Sequence, residues 1–348
     1  MSALRVPILS LLAVMTVAAP AARPLPGAPD LPRAFLRDQM GFSARDLSAL
    51  EAGRPVARQM ATREAVDVNI FGAVRIEAPA EAFVRQLREI EAFERKLGIL
   101  QAGRFQNPPQ LADLNGLTLE PKDIHDLQRC RPGHCELQLP ADDIERFRRE
   151  VDWRGGDVSG QANRLFRRIL FDRLQAYQAR GLAPLTYHDR GTPISAAADF
   201  RLLSAPGDLP IALPGLVQYL SAYPAAPLPG ATDVFYWNKG EFGMKPTIRL
   251  NHLVVYPLNG AAAASGHRYV VATSQIYADH YFSATLELRT LVEDPSRPGG
   301  FYLFYTTKSR VSGLTGFMGL LIRSTVRSRA RSGMERYLAV TKRTLESR

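Results

Sequence analysis

Two histidines occupy positions from which a side chain can do chemistry inside a sheet. In 248–256 the even-numbered Ile248, Leu250, Val254 and Tyr256 are apolar, and His252 shares their parity. In 281–291 the even-numbered Phe282, Ala284, Leu286 and Leu288 are apolar, Ser283, Thr285, Glu287 and Arg289 are polar, and His280 falls at the even parity. Side chains alternate across a strand, so both imidazoles are expected to point inward. There an imidazole can hydrogen-bond the polar head of an apolar ligand or serve as a general acid–base. Equally, it can be a core histidine with its hydrogen bonds satisfied. Asp279 precedes His280, but adjacent strand residues face opposite ways, which argues against an acid–base dyad.

Other combinations are less specific. Glu241 with Asp233 or Glu287 is a conceivable carboxylate pair for glycoside hydrolysis, though no spacing singles it out. His188 and Asp189 follow a strand-like Leu185–Tyr187 and precede a turn, an ordinary loop pair. Nucleophile-elbow, zincin, phosphate-loop and dinucleotide motifs do not occur. No cofactor and no metal are expected. Trp237, Tyr256, Tyr277 and Phe282 belong to a dense aromatic set over 235–305 and are the expected pocket lining beside the histidines, although such residues also make ordinary strands.

The only cysteines are Cys130 and Cys135, separated by a turn-forming Pro132-Gly133. In an oxidising compartment that spacing predicts a disulfide, worth roughly 2 kcal/mol for so small a ring. Export is expected from the first residues. Arg5, a mostly apolar run from Val6 to Val17 and small residues at Ala18–Ala22 describe a signal peptide over 1–22. A run of about a dozen residues is too short to span a bilayer, which takes roughly 20. The expected location is periplasmic or secreted. The formal charge of +10 then points to anionic lipid headgroups, lipopolysaccharide or acidic glycans and not to nucleic acid, with a plain Arg-rich surface the alternative. Arg323, Arg327 and Arg331, four apart, form the expected solvated stripe for such a contact.

The elements that must position these residues are legible as patterns. An N-terminal extension over 23–62 includes one helical stretch at 34–52, with Ser43 as a possible cap. A strand at 66–76 runs into a helix that begins at Pro79 and carries Phe83, Leu87, Ile90 and Phe93 at helical spacing. Short extended pieces are expected over 98–140, helices at 142–151 and 161–179, and shorter ones at 194–203 and 216–222. Strands are expected at 234–237, 248–256, 269–277, 281–291 and 301–307, separated by links that suit antiparallel neighbours. A helix over 316–346, roughly 45 Å long, closes the chain.

The strand running into Ile76-Glu77-Ala78-Pro79-Ala80-Glu81-Ala82-Phe83, the run of antiparallel strands and the long closing helix together resemble the START-like (helix-grip, SRPBCC) superfamily. The chain also resembles a group of exported bacterial proteins of unassigned function. The resemblance covers about 65–93 and 234–346, and implies an α+β fold with a curved antiparallel sheet around the C-terminal helix. It implies a START-like domain over 63–348, interrupted by a helical and loop insertion at about 98–230. It further implies a cavity between sheet and helix for a lipid, sterol-like or polycyclic ligand. The expected function is therefore an exported soluble carrier. The alternatives are a cavity enzyme of the cyclase, isomerase or hydrolase type using His252 or His280, and an envelope interaction protein.

Overall fold

The computed structural model describes residues 31–189, 191–205, 213–242, 245–264, 266–294, 296–314 and 316–347. The expected signal peptide lies outside the described residues. Helices α1 (Leu31–Asp38) and α2 (Ala44–Glu51) lead to strands β1 (Val56–Gln59) and β2 (Asp67–Ile76). Then come α3 (Ala80–Arg88), α4 (Ile90–Lys96), β3 (Gln101–Arg104), α5 (Pro121–Leu127), α6 (Ala141–Glu150) and α7 (Val158–Arg180). A hairpin of β4 (Thr186–Asp189) and β5 (Thr192–Ser195) precedes α8 (Ala196–Leu203) and α9 (Pro214–Ala222). The remainder is β6 (Thr232–Gly240), β7 (Thr247–Pro257), a single turn α10 (Ala261–Ala264), β8 (His267–Ala278), β9 (Phe282–Glu293), β10 (Phe301–Val311) and α11 (Gly316–Glu346).

Eight strands form one sheet in the order β1-β2-β10-β9-β8-β7-β6-β3, antiparallel at every pairing. The fold is α+β, as expected, with the long helix packed chiefly on β1 and β2. Gly72 makes that contact possible. A Cβ there would lie 2.7 Å from Met334 Cγ and 2.8 Å from Leu338 Cδ1, so the missing side chain lets α11 sit directly on β2.

Antiparallel sheets commonly leave one face to water; this one is covered on both. Ile70, Val74 and Ile76 of β2, Leu253 and Val255 of β7 and Leu291 of β9 pack against Phe83, Leu87 and Phe93 of α3 and α4 and Met334 and Leu338 of α11. The opposite face presents Ile248, Leu250 and Val254, Val270, Ala272 and Ile276, and Ala284, Leu286 and Leu288 to the apolar side of α7, with α5, α6, α8 and α9 around it. At the β2–β10 end, Phe35, Leu36 and Leu50 of α1 and α2 cover Phe71 and Phe304. The segment 98–230 is thus a second cover for the sheet.

Several expectations are corrected. The even-numbered Ile248, Leu250 and Val254 of β7 and Ala284, Leu286 and Leu288 of β9 point inward, but toward the 98–230 layer and not toward α11. The polar odd-numbered residues of β9 are buried too, because α3, α4 and α11 lie over them. The single N-terminal helix is two, and Ser43 caps the second: its hydroxyl accepts from Asp46 N–H while Asp46 accepts from Ser43 N–H. Within 98–140 two pieces are helical, a 3-10 turn at Leu111–Leu114 and α5, which starts with Pro121 at its first turn.

Candidate functional site

The sequence-predicted residues do not converge on one cavity. Trp237 lies over Gly103 and donates Nε1–H to Asp113 O at 2.9 Å. Tyr277 packs edge-on against Tyr187, with the Arg173 guanidinium 4.5 Å from its ring centre. Tyr256 is a half-buried neighbour of the same apolar layer. Phe282 lies on the opposite face, edge-on to Phe242. His280 is in the β8–β9 turn, where Nδ1 faces Glu136 O at 3.1 Å. Asp279 and His280 make no hydrogen bond to each other, so no dyad forms, but strand alternation is not the reason. Both residues lie beyond the end of β8, so strand alternation does not govern them, and their side chains approach to 3.9 Å. The expected Cys130–Cys135 disulfide is present.

His252 has its valences filled. Tyr177 Oη, from α7, lies 2.8 Å from Nδ1, and Asp233 Oδ1, from β6, lies 2.8 Å from Nε2. Tyr219 of α9 donates its hydroxyl to Asp233. Phe235 and Tyr223 flank the ring at centroid distances of 4.7 Å each. Burial holds His252 below the usual imidazole range against the pull of Asp233, so the ring is neutral, donating from Nε2 and accepting at Nδ1. Burial raises Asp233, but the hydrogen bonds from His252 and Tyr219 outweigh it and keep the carboxylate ionised. The circuit ties α7 and α9 to the sheet. Of the carboxylates weighed as a hydrolytic pair, Asp233 belongs to this circuit while Glu287 lies on the other face.

Between α11 and the sheet, where a grip cavity is expected, lies a buried polar floor. Glu287 of β9 accepts from Arg289 Nη2 at 2.5 Å, Tyr305 Oη at 2.9 Å and Arg249 Nη2 at 3.2 Å. Arg289 donates Nε–H to Tyr337 Oη of α11 at 2.9 Å and Nη1–H to Thr273 Oγ1 at 3.0 Å. Its guanidinium also lies 4.4 Å from the Tyr305 ring centre, a cation–π contact. Burial raises Glu287, yet Arg289 and Arg249 together hold it below the ordinary carboxylate range. Glu94 of α4 accepts from Asn238 Nδ2 at 2.9 Å, and burial pushes its carboxyl up. Arg249 Nε and Asn251 Oδ1 are buried without hydrogen-bond partners. Two guanidiniums, Arg249 and Arg289, thus share the floor with the carboxyl groups of Glu287 and Glu94, the latter pushed up by burial. Period-2 reading marks its members as polar and outward; only the layer of helices over that face makes them interior.

One turn near the start of α11 stands clear of the body. Leu320, Leu321 and Ile322 are 61%, 57% and 43% exposed. Three successive helical residues span about 200° of the helix circumference, so their joint exposure means that this turn is not packed. Arg329, Arg331 and Arg336 are exposed further along. The expected solvated arginine stripe is corrected in part. Arg323 donates to Leu314 O at 2.9 Å, and Arg327 to Asp67 O at 3.3 Å and Thr62 Oγ1 at 3.4 Å. Both are half-buried tethers for the helix. Arg331 pairs with Glu335. No helix among the described residues is long and apolar enough to cross a membrane.

No family model, no curated protein and no solved structure matches this chain. The class that fold and site define is an α+β protein with an eight-stranded antiparallel sheet against a long C-terminal helix.

Proposed function

We propose that this protein is an extracytoplasmic START-like carrier that takes up a hydrophobic ligand at an anionic membrane surface, docking there through the start of α11. The observation that carries the reading is the exposed Leu320-Leu321-Ile322 turn. Of the large apolar side chains exposed among the described residues, these are the ones in succession. Moving such a side chain from water into the acyl boundary gains about 1.5–3 kcal/mol, and each arginine near an anionic surface adds about 1 kcal/mol. A helix with an apolar turn followed by arginines is suited to lying in that interface. The disulfide fits an oxidising compartment. We assign the ligand's polar end to Arg249, whose Nε has no hydrogen-bond partner, and not to His252, whose ring nitrogens are both engaged. An acidic headgroup suits the unanswered Nε–H of Arg249.

Co-sedimentation with vesicles tests the reading. Wild-type protein is expected to bind phosphatidylglycerol-containing vesicles, less at high salt, and not pure phosphatidylcholine. The triple change Leu320→Ser, Leu321→Ser, Ile322→Ser, at exposed sites, is expected to abolish binding without loss of folding. Failure of the wild type to bind either vesicle, or undiminished binding by the triple variant, counts against it.

A further inference from the structure

The β8–β9 turn holds a buried carboxylate oxygen that nothing answers. Asp279 Oδ1 accepts from Ile248 N–H at 2.8 Å. Its backbone is clamped on both sides, N–H to Ile248 O at 3.1 Å and C=O from Gln138 N–H at 2.8 Å. Oδ2 has no hydrogen-bond partner although the side chain is 1% exposed, a costly condition for a carboxylate.

The neighbouring groups turn toward the same point. His280 Nδ1 faces the Glu136 carbonyl at 3.1 Å. A carbonyl only accepts, so that nitrogen carries the hydrogen, and Nε2 of the neutral ring presents a lone pair. Nε2 lies 3.2 Å from Asp123 Oδ2 and 3.9 Å from Asp279 Oδ2. Asp123, on α5, has its other oxygen 3.4 Å from Lys245 Nζ. Each side chain thus has one polar atom fixed by the protein and the other turned inward, and the inward atoms all lie within 4.8 Å of one another. Metal ligands are held in this way, with an outer partner setting tautomer and orientation.

We infer that Asp123, Asp279 and His280 bind a divalent ion of the zinc class. Two carboxylate oxygens and one imidazole nitrogen suit a borderline first-row ion. Ligands at the usual 2.0–2.2 Å from a tetrahedral zinc lie about 3.4 Å apart, against 3.2 and 3.9 Å from His280 Nε2 to the two carboxylate oxygens. Calcium wants about six to eight oxygens, which this site does not supply. An imidazolium alone would answer Asp123 but leaves Asp279 Oδ2 out of hydrogen-bond reach at 3.9 Å. Three protein ligands leave a position for water or another donor. Glu136 directly follows Cys135, so the disulfide loop anchors the carbonyl that orients the imidazole.

Chelator-stripped full-length protein titrated with zinc by calorimetry, with thermal denaturation alongside, tests this. One ion per chain and a raised Tm are expected, with affinity reduced at least roughly tenfold in Asp279→Asn. Should that variant not fold, cobalt(II) substitution of the wild type decides: intense visible bands of a low-coordinate site are expected. No stoichiometric uptake, undiminished uptake by a folded Asp279→Asn, or only the spectrum of hydrated cobalt overturns the assignment.

Discussion

Glu287 is the residue whose loss the polar floor can least absorb. Its carboxylate faces two guanidiniums in a site shut from water, and removing one partner strands the others. Glu287→Gln is expected to destabilise by about 3–5 kcal/mol in urea denaturation, whereas exchange of an exposed arginine such as Arg336 should change little. His252 makes a different prediction. Its folded pKa lies below the ordinary imidazole value, so as pH falls through about 6.5 the unfolded chain takes up a proton that the folded chain refuses. The stability this group confers is present above that pH and is lost on acidification toward its folded value. Asp233, also held low, loses its contribution further down, below the ordinary carboxylate range. The stability advantage of the wild type over His252→Gln should therefore shrink between pH 7 and 5; an unchanged difference would mean that the imidazole does not titrate as argued. His252 was visible in the sequence as an inward histidine, but its partners were not. Tyr177, Tyr219 and Asp233 come from three separate elements, and no local spacing announces their meeting. Asp123 was likewise hidden, 156 residues before Asp279.

At the scale of elements, periodicity served well where one cover decided the pattern. The helix expected over 316–346 is α11 with the same bounds, and the strands from β6 to β10 appear where apolar residues alternate or run. It failed where burial is two-sided. Glu287 and Arg289 read as an outward face because alternation distinguishes two faces without saying what covers either. α5 was missed although Glu120-Pro121 followed by Asp123 is a helix-start signal. A seven-residue helix has little intrinsic stability and depends on packing of Ile124 and Leu127. The seating of α11 on β2 gives this scale its prediction. Gly72→Val must displace Met334 or Leu338, and should cost about 1–3 kcal/mol of overpacking, read as a lowered urea midpoint; an unchanged midpoint would mean that α11 does not pack this closely.

Across the whole molecule, the sheet is a wall between two interiors. One is sealed by the 98–230 layer; the other is polar-floored and closed by α11, which among the described residues is anchored along its length except at the exposed turn 320–322. A carrier needs one interior that can open, and the exposed turn at the start of α11 is where this fold would permit it. Reduction of Cys130–Cys135 acts on the sealed side. It should lower stability by roughly 2 kcal/mol and weaken zinc uptake, because Glu136 is freed, while leaving vesicle binding intact; loss of vesicle binding on reduction would link the two interiors. The most direct test of the carrier reading is native mass spectrometry of the protein isolated from its own compartment, with organic extraction of whatever accompanies it. A stoichiometric lipid-like or polycyclic adduct is the predicted result. A clean apo mass, repeated after incubation with total membrane lipid, would contradict it.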